Sequence, residues 1–157
     1  MFFFRCCGAL VALLLLTGPA AGLTPTQALD RYVHRVWTTD EGLPQNAVYA
    51  TVTSREGYVW LGTDEGLVRF DGVRFTTFDR TNTPALRDPF VFALHEARDG
   101  ALWVGTDRGG LLRYAGGRFT TFGQAEGLPA GRIQAITEDR DGVVWVGIRG
   151  GGLASVR

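Results

Sequence analysis

Few side chains in this 157-residue chain are of types that could do chemistry. Its only imidazoles are His34 and His95. Imidazole is the usual metal ligand and neutral-pH base, but a metal site needs several His, Cys or carboxylate groups converging. Neither histidine has such company in the sequence, so both read as ordinary strand residues. The two serines, Ser54 and Ser155, lie outside any Gly-x-Ser-x-Gly setting, which removes the nucleophile elbow. Asp139-Arg140-Asp141-Gly142 resembles the start of a calcium loop, yet the later ligands and closing Glu are missing. Arg55-Glu56-Gly57 and Arg98-Asp99-Gly100 occupy the equivalent place, so repetition favours a turn. Asp64 and Glu65 are adjacent and diverge on a strand or turn, unlike carboxylates that share a substrate. Gly150-Gly151-Gly152 is not followed by Gly-Lys-Ser/Thr and reads as a turn, not a phosphate cradle. The expectation is no catalytic residue, no metal and no cofactor.

The elements come from repetition. Tyr58-Val59-Trp60-Leu61-Gly62-Thr63 returns as Ala101-Leu102-Trp103-Val104-Gly105-Thr106 and again as Val143-Val144-Trp145-Val146-Gly147-Ile148. The tryptophans are 43 and 42 residues apart. Arg74-Phe75-Thr76-Thr77-Phe78 returns as Arg118-Phe119-Thr120-Thr121-Phe122, and Glu41-Gly42-Leu43-Pro44 as Glu126-Gly127-Leu128-Pro129. A period of about 42–44 with one Trp per unit lies among propeller-blade periods. In the first unit, residues 47–53, 58–63, 67–70 and 73–78 read as strands separated by Glu-Gly and Asp-Gly turns. Four short antiparallel strands make a blade. The fold class expected is all-β, an incomplete β-propeller of about three repeats (31–71, 73–115 and 117–156). Residues 32–38 read as an isolated outer strand and 153–156 as a third strand with no fourth after it.

Trp60, Gly62, Trp103, Gly105, Trp145 and Gly147 mark the structural repeat positions. The tryptophans could stack sugars around a common axis. Packing between neighbouring blades is the simpler reading, because each lies in an apolar run and stacked repeats need a continuous core. Arg69 and Arg113, between apolar neighbours, read as exposed strand positions.

Positive and negative side chains balance at 16 each, every positive one being Arg, so nothing points to a nucleic-acid surface. Residues 1–22 read as a signal peptide: one Arg, an apolar run over 6–16, then small and turn-forming residues. That run is short against the roughly 20 residues that span a bilayer. Residues 23–30 read as a linker. Both cysteines, Cys6 and Cys7, fall in the leader, so the mature chain needs no disulfide. Export to the periplasm or beyond is expected, with membrane contact only through an uncleaved leader or a missing C-terminal part.

The segment Asn46-Ala47-Val48-Tyr49-Ala50, continued by Arg55-Glu56-Gly57-Tyr58-Val59-Trp60-Leu61-Gly62-Thr63-Asp64-Glu65-Gly66-Leu67-Val68-Arg69-Phe70-Asp71, resembles the two-component regulator propeller repeat. The likeness recurs over residues 96–114 and, less fully, 138–153. The resemblance implies an extracytoplasmic sensor, usually with many more repeats, a second membrane crossing and a histidine kinase or diguanylate cyclase as output. This sequence has three repeats and neither of the other parts. Its third copy has Ile148 for Thr and Arg149-Gly150-Gly151-Gly152 for the Asp-Glu-Gly turn. The reading is therefore a periplasmic ligand-sensing propeller region, truncated and lacking its output domain. Its ligand is unknown, with carbohydrate one candidate, and would bind on loops at one end of the blades. The alternatives are a propeller enzyme acting on polysaccharide, as lyase or hydrolase, and a non-signalling interaction module. Three repeats are fewer than the usual four to eight blades. We favour a piece of a longer propeller over two chains making six blades through their exposed edges, and both over an open array.

Overall fold

Short apolar runs closed by tight Gly-containing turns fold back on themselves, and here they make three antiparallel sheets. The computed structural model describes residues 34–157, so the expected leader and linker lie outside the described residues. Blade 1 comprises β1 (Val48–Thr53), β2 (Val59–Thr63), β3 (Leu67–Phe70) and β4 (Phe75–Phe78). Blade 2 comprises β5 (Val91–Glu96), β6 (Leu102–Thr106), β7 (Leu111–Ala115) and β8 (Arg118–Phe122). Blade 3 comprises β9 (Ile133–Glu138), β10 (Val144–Ile148) and β11 (Gly152–Val156). Each sheet follows chain order, and the sheets stay separate, as in an unclosed propeller.

The first strands stack on one another, β1 against β5 and β5 against β9. The alternation of side chains along a strand then decides which neighbour each residue meets. Trp60 and Leu67 pack forward from blade 1 onto Val91, Leu102, Val104 and Leu112 of blade 2. Trp103 and Leu111 pack forward from blade 2 onto Val144, Val146 and Ile148 of blade 3. The middle blade is covered on both faces, so all five residues of β6 are buried. That is why its strand reads as an unbroken apolar run and not as an alternation.

Glycine in the Trp-x-Gly phrase has a packing reason. A Cβ on Gly62 would come within 2.7 Å of Val91 Cγ1 and 2.8 Å of the Val91 carbonyl oxygen. A Cβ on Gly105 would overlap the Ile133 side chain. The missing side chain lets the first strand of the next blade close up. At Gly147 the nearest atom to such a Cβ is Ala135 Cβ of the same blade, at 3.6 Å.

The expected outer strand over residues 32–38 is not there among the described residues: residues 34–38 carry no strand. Thr38 instead caps a 3-10 turn, Thr39–Glu41. Its N–H and hydroxyl both donate to the Glu41 carboxylate, at 2.7 and 2.6 Å. Gly42 follows in the left-handed conformation, and Leu43 turns inward. The same device recurs at Gln124–Glu126, where the Gly123 N–H donates to Glu126 at 2.7 Å and Leu128 is buried. The repeated Glu-Gly-Leu-Pro phrase is thus a capped turn that feeds a first strand. β4 starts at Phe75 and not at Val73, because Asp71 Oδ1 accepts from the N–H groups of both Val73 and Arg74 and holds them in the turn.

The turns between first and second strands carry pH sensitivity. The Trp145 indole N–H, then the Val143 N–H, hold the Asp139 carboxyl below its ordinary 3.8. The Ala101 N–H, then Arg113, do the same for Asp99. The unfolded chain therefore takes up these protons first as pH falls. The stability they contribute is full above 3.8 and is lost as pH falls through the lower folded-state values. The melting temperature should be level from neutrality to about pH 5 and fall below about pH 4. Replacing Asp139 by Asn should make that fall shallower; an unchanged slope would show that this carboxylate contributes nothing.

Candidate functional site

The loops that carry the chain from a fourth strand to the next first strand are long, and they gather with the β6–β7 turn at one rim. Between them lies a cleft of about 1150 Å³. Its floor is aromatic. Tyr49 on β1 and Phe92 on β5 have ring centroids 4.6 Å apart, and the Phe90 ring lies nearly parallel to Phe92 at 6.4 Å. Tyr49 and Phe90 remain 48% and 42% exposed, unusual for rings this close to a core. Arg132 reaches across from the start of blade 3 and lays its guanidinium 3.9 Å from the Phe92 centroid.

Each acidic group nearest these rings has a partner. Asp107 accepts from Arg132 Nε at 2.6 Å, which fixes the guanidinium over the ring. Asp88 accepts from the Phe90 N–H at 3.0 Å and from the Arg108 N–H at 2.6 Å, which ties two loops together. Arg80, Arg87 and Arg108 also line the cleft and are exposed. The arrangement offers flat apolar faces and cationic donors. Its nearest carboxylates are engaged in holding the walls.

The sequence-marked positions lie elsewhere. Trp60, Gly62, Trp103 and Gly105 sit in the contacts between blades, and Trp145 and Gly147 on the corresponding face of blade 3. Not one of the six lines the cleft. His95 stands between blades 2 and 3, its buried Nε2 without a hydrogen bond and 4.0 Å from Glu138. Arg69 is not simply solvated, since it lies 4.5 Å from the Tyr58 ring centroid. Arg113 donates to Asp99 at 2.6 Å. Among the described residues no group of three or more His, Cys, Asp or Glu is placed to hold a metal ion.

What sequence reasoning missed is where the repeats disagree. At one register the three blades have Tyr49, Phe92 and Gln134; two residues earlier they have Ala47, Phe90 and Arg132. The loops differ as well, with a Thr/Pro/Arg-rich connection before blade 2 and the capped 3-10 turn before blade 3. Difference between otherwise equal units was the available signal for a site.

A family described as two component regulator propeller matches residues 42–65, 85–108 and 127–150, the same segment of each blade. All three segments are similar to the two-component regulator propeller repeat. Among solved structures, the extracellular domain of the putative hybrid two-component system BT3049 from B. thetaiotaomicron is similar at 26% identity and a TM-score of 0.69. The match covers 80% of this chain and 18% of that one. The corresponding domain of the BT4673 system from the same organism matches at 23% identity and a TM-score of 0.59, over 74% of this chain and 16% of that one. Virginiamycin B lyase from Staphylococcus aureus shares the fold at 18% identity and a TM-score of 0.54, over 74% of this chain and 43% of that one. The curated proteins contain no match. The propeller repeats here thus span less than a fifth of the extracellular domains they resemble. Among the described residues no helix is long and apolar enough to cross a membrane.

Proposed function

We propose that this chain is a ligand-recognising propeller segment of a two-component-type sensor, working outside the cytoplasm, and that it binds its ligand in the rim cleft without transforming it. The observation that carries this is the pairing of the exposed rings of Tyr49 and Phe90, and the half-buried ring of Phe92, with the fixed guanidinium of Arg132. Apolar ring faces stack on sugar rings, and arginine forks match carboxylate or sulfate groups in two-point contacts. A saccharide bearing acidic groups suits both. The leader-like residues 1–22 support export, and the likeness to extracellular domains of hybrid two-component systems supports the sensor reading.

The lyase likeness is one of fold, and the cleft argues for binding over turnover. A general acid or base must be free to reach the substrate proton, whereas Asp88 and Asp107 are engaged by backbone and Arg132. The test is calorimetric titration of the mature chain with neutral and with anionic oligosaccharides, followed by chromatography of the mixtures. Binding of the anionic series with intact sugars recovered is expected. Arg132→Ala should weaken it about tenfold or more, as loss of a charge-assisted contact does. Cleaved products, or binding indifferent to Arg132, would defeat the reading.

A further inference from the structure

Arg132 enters the cleft with part of its donor set already taken. Its Nε donates to Asp107 Oδ1 at 2.6 Å, and the guanidinium carbon lies 3.9 Å from the Phe92 ring centroid. Its two Nη groups make no hydrogen bond among the described residues. What remains is a pair of donors side by side in one plane. Asp107 is itself placed by the main chain, since its N–H donates to the Phe90 carbonyl at 3.0 Å directly after β6. Its other oxygen lies 3.6 Å from Arg108 Nε.

The pairing belongs to one junction, though the carboxylate recurs. Blade 1 has Asp64 after Thr63, as Asp107 follows Thr106. Blade 2 presents Phe90 where blade 3 presents Arg132, and Asp64 Oδ1 is buried with no hydrogen-bond partner among the described residues. Blade 3 has Arg149 in the same place. Nearby main-chain donors are also spent: Asp88 accepts from the Phe90 and Arg108 N–H groups. Converging N–H groups are what commonly hold a tetrahedral oxyanion. Arg80, Arg87 and Arg108 are exposed, and flexible solvated cations attract anions of every shape alike.

We infer that Asp107 is a positioning residue that decides which acidic group the cleft accepts: by holding Nε, it leaves Arg132 a flat two-donor edge that selects a carboxylate on the saccharide over a sulfate ester. A carboxylate has two oxygens, and that edge meets both. A sulfate ester has three terminal oxygens, and the third is left without a fixed donor, which costs binding energy. Asp107 does this through Arg132 and does not touch the ligand itself. The selectivity rests on the rim-cleft reading proposed above.

Trigalacturonate and galactotriose sulfated at its primary hydroxyls share a backbone and differ in the acid, so they serve as probes. Calorimetric titration should show the unaltered chain binding trigalacturonate about tenfold or more tightly than the sulfated trimer. Asp107→Ala should abolish that preference; if melting curves show it unfolded, Asp107→Asn, which keeps the shape without the charge, is measured in its place and should reduce the preference. Nitrogen-15 NMR adds a signature that a purely structural role would not move. The Arg132 Nε–H resonance, identified by its loss in Arg132→Lys, should persist when trigalacturonate binds and disappear into solvent exchange in Asp107→Ala. Equal binding of the two trimers, a preference that survives loss of Asp107, or displacement of the Nε–H resonance by trigalacturonate would overturn the selectivity while leaving the cleft a binding site. If neither trimer binds, the rim-cleft reading falls and the selectivity with it.

Discussion

Trp103→Ala is expected to destabilise the chain by about 3–5 kcal/mol, the range for emptying a buried aromatic site. Trp145→Ala should cost far less. The two residues occupy the same place in the repeat and pair with the same position of their own sheets' first strands, Trp103 with His95 and Trp145 with Thr137. They differ in what lies in front. Trp103 is 6% exposed, packed against Phe122 at 5.5 Å and beneath blade 3. Trp145 is only half-buried, and its indole N–H is held by Asp139 at 2.7 Å. Removing Trp103 leaves a cavity with blade 3 on one wall, while removing Trp145 leaves a surface that water can refill. Denaturant melts of the two variants decide the matter, and equal losses would mean that blade-to-blade packing is not what these tryptophans provide.

Gly105→Val should be the more disruptive of two further substitutions. Even a Cβ at Gly105 meets Ile133 Cγ2 and Cβ, with Ala93 Cβ at 3.2 Å behind them. Ile133 is fully buried and cannot swing away. Overfilling a packed core costs about 1–3 kcal/mol and sometimes more, and the branched side chain adds to the first clash. Here the displaced element is β9, so the expected result is separation of blade 3 from blade 2 as well as a lower melting temperature. Gly147→Val meets no following blade among the described residues and should be close to neutral. If the two valine variants melt alike, close approach of the next blade is not the reason for glycine at this position.

How much of this was legible in the sequence follows from what repetition can carry. The Trp-x-Gly phrase, the Asp-Gly turns and the period near 43 residues located the blades, because each unit satisfies its own sheet hydrogen bonds in the same way. β3 fell on Leu67–Phe70, the residues expected for it. The strand expected over residues 32–38 failed at its described end, since Thr38 and Glu41 satisfy each other's polar groups locally and remove that stretch from sheet pairing. The cleft was not legible. Tyr49, Phe92 and Arg132 are 40 or more residues apart in sequence and meet only because the first strands stack. Arg132 looked like one of sixteen arginines, and only Asp107 and the Phe92 ring give it a fixed position. The hydrogen bonds between blades were hidden for a similar reason: Glu96 and Glu138 repeat, but the N–H groups of Arg55 and Arg98 that donate to them sit one blade away.

The central claim is that each repeat is completed by the one after it, so that equal sequences have unequal stability. Residue-resolved amide hydrogen exchange on the unaltered chain, at a concentration where it is a single species, tests this most directly. The account predicts that β6 amides, covered on both faces, exchange only through global unfolding, while those of β10 and β11, with one face uncovered among the described residues, exchange at least about tenfold faster through local opening. Equal protection of β6 and β10 would contradict it.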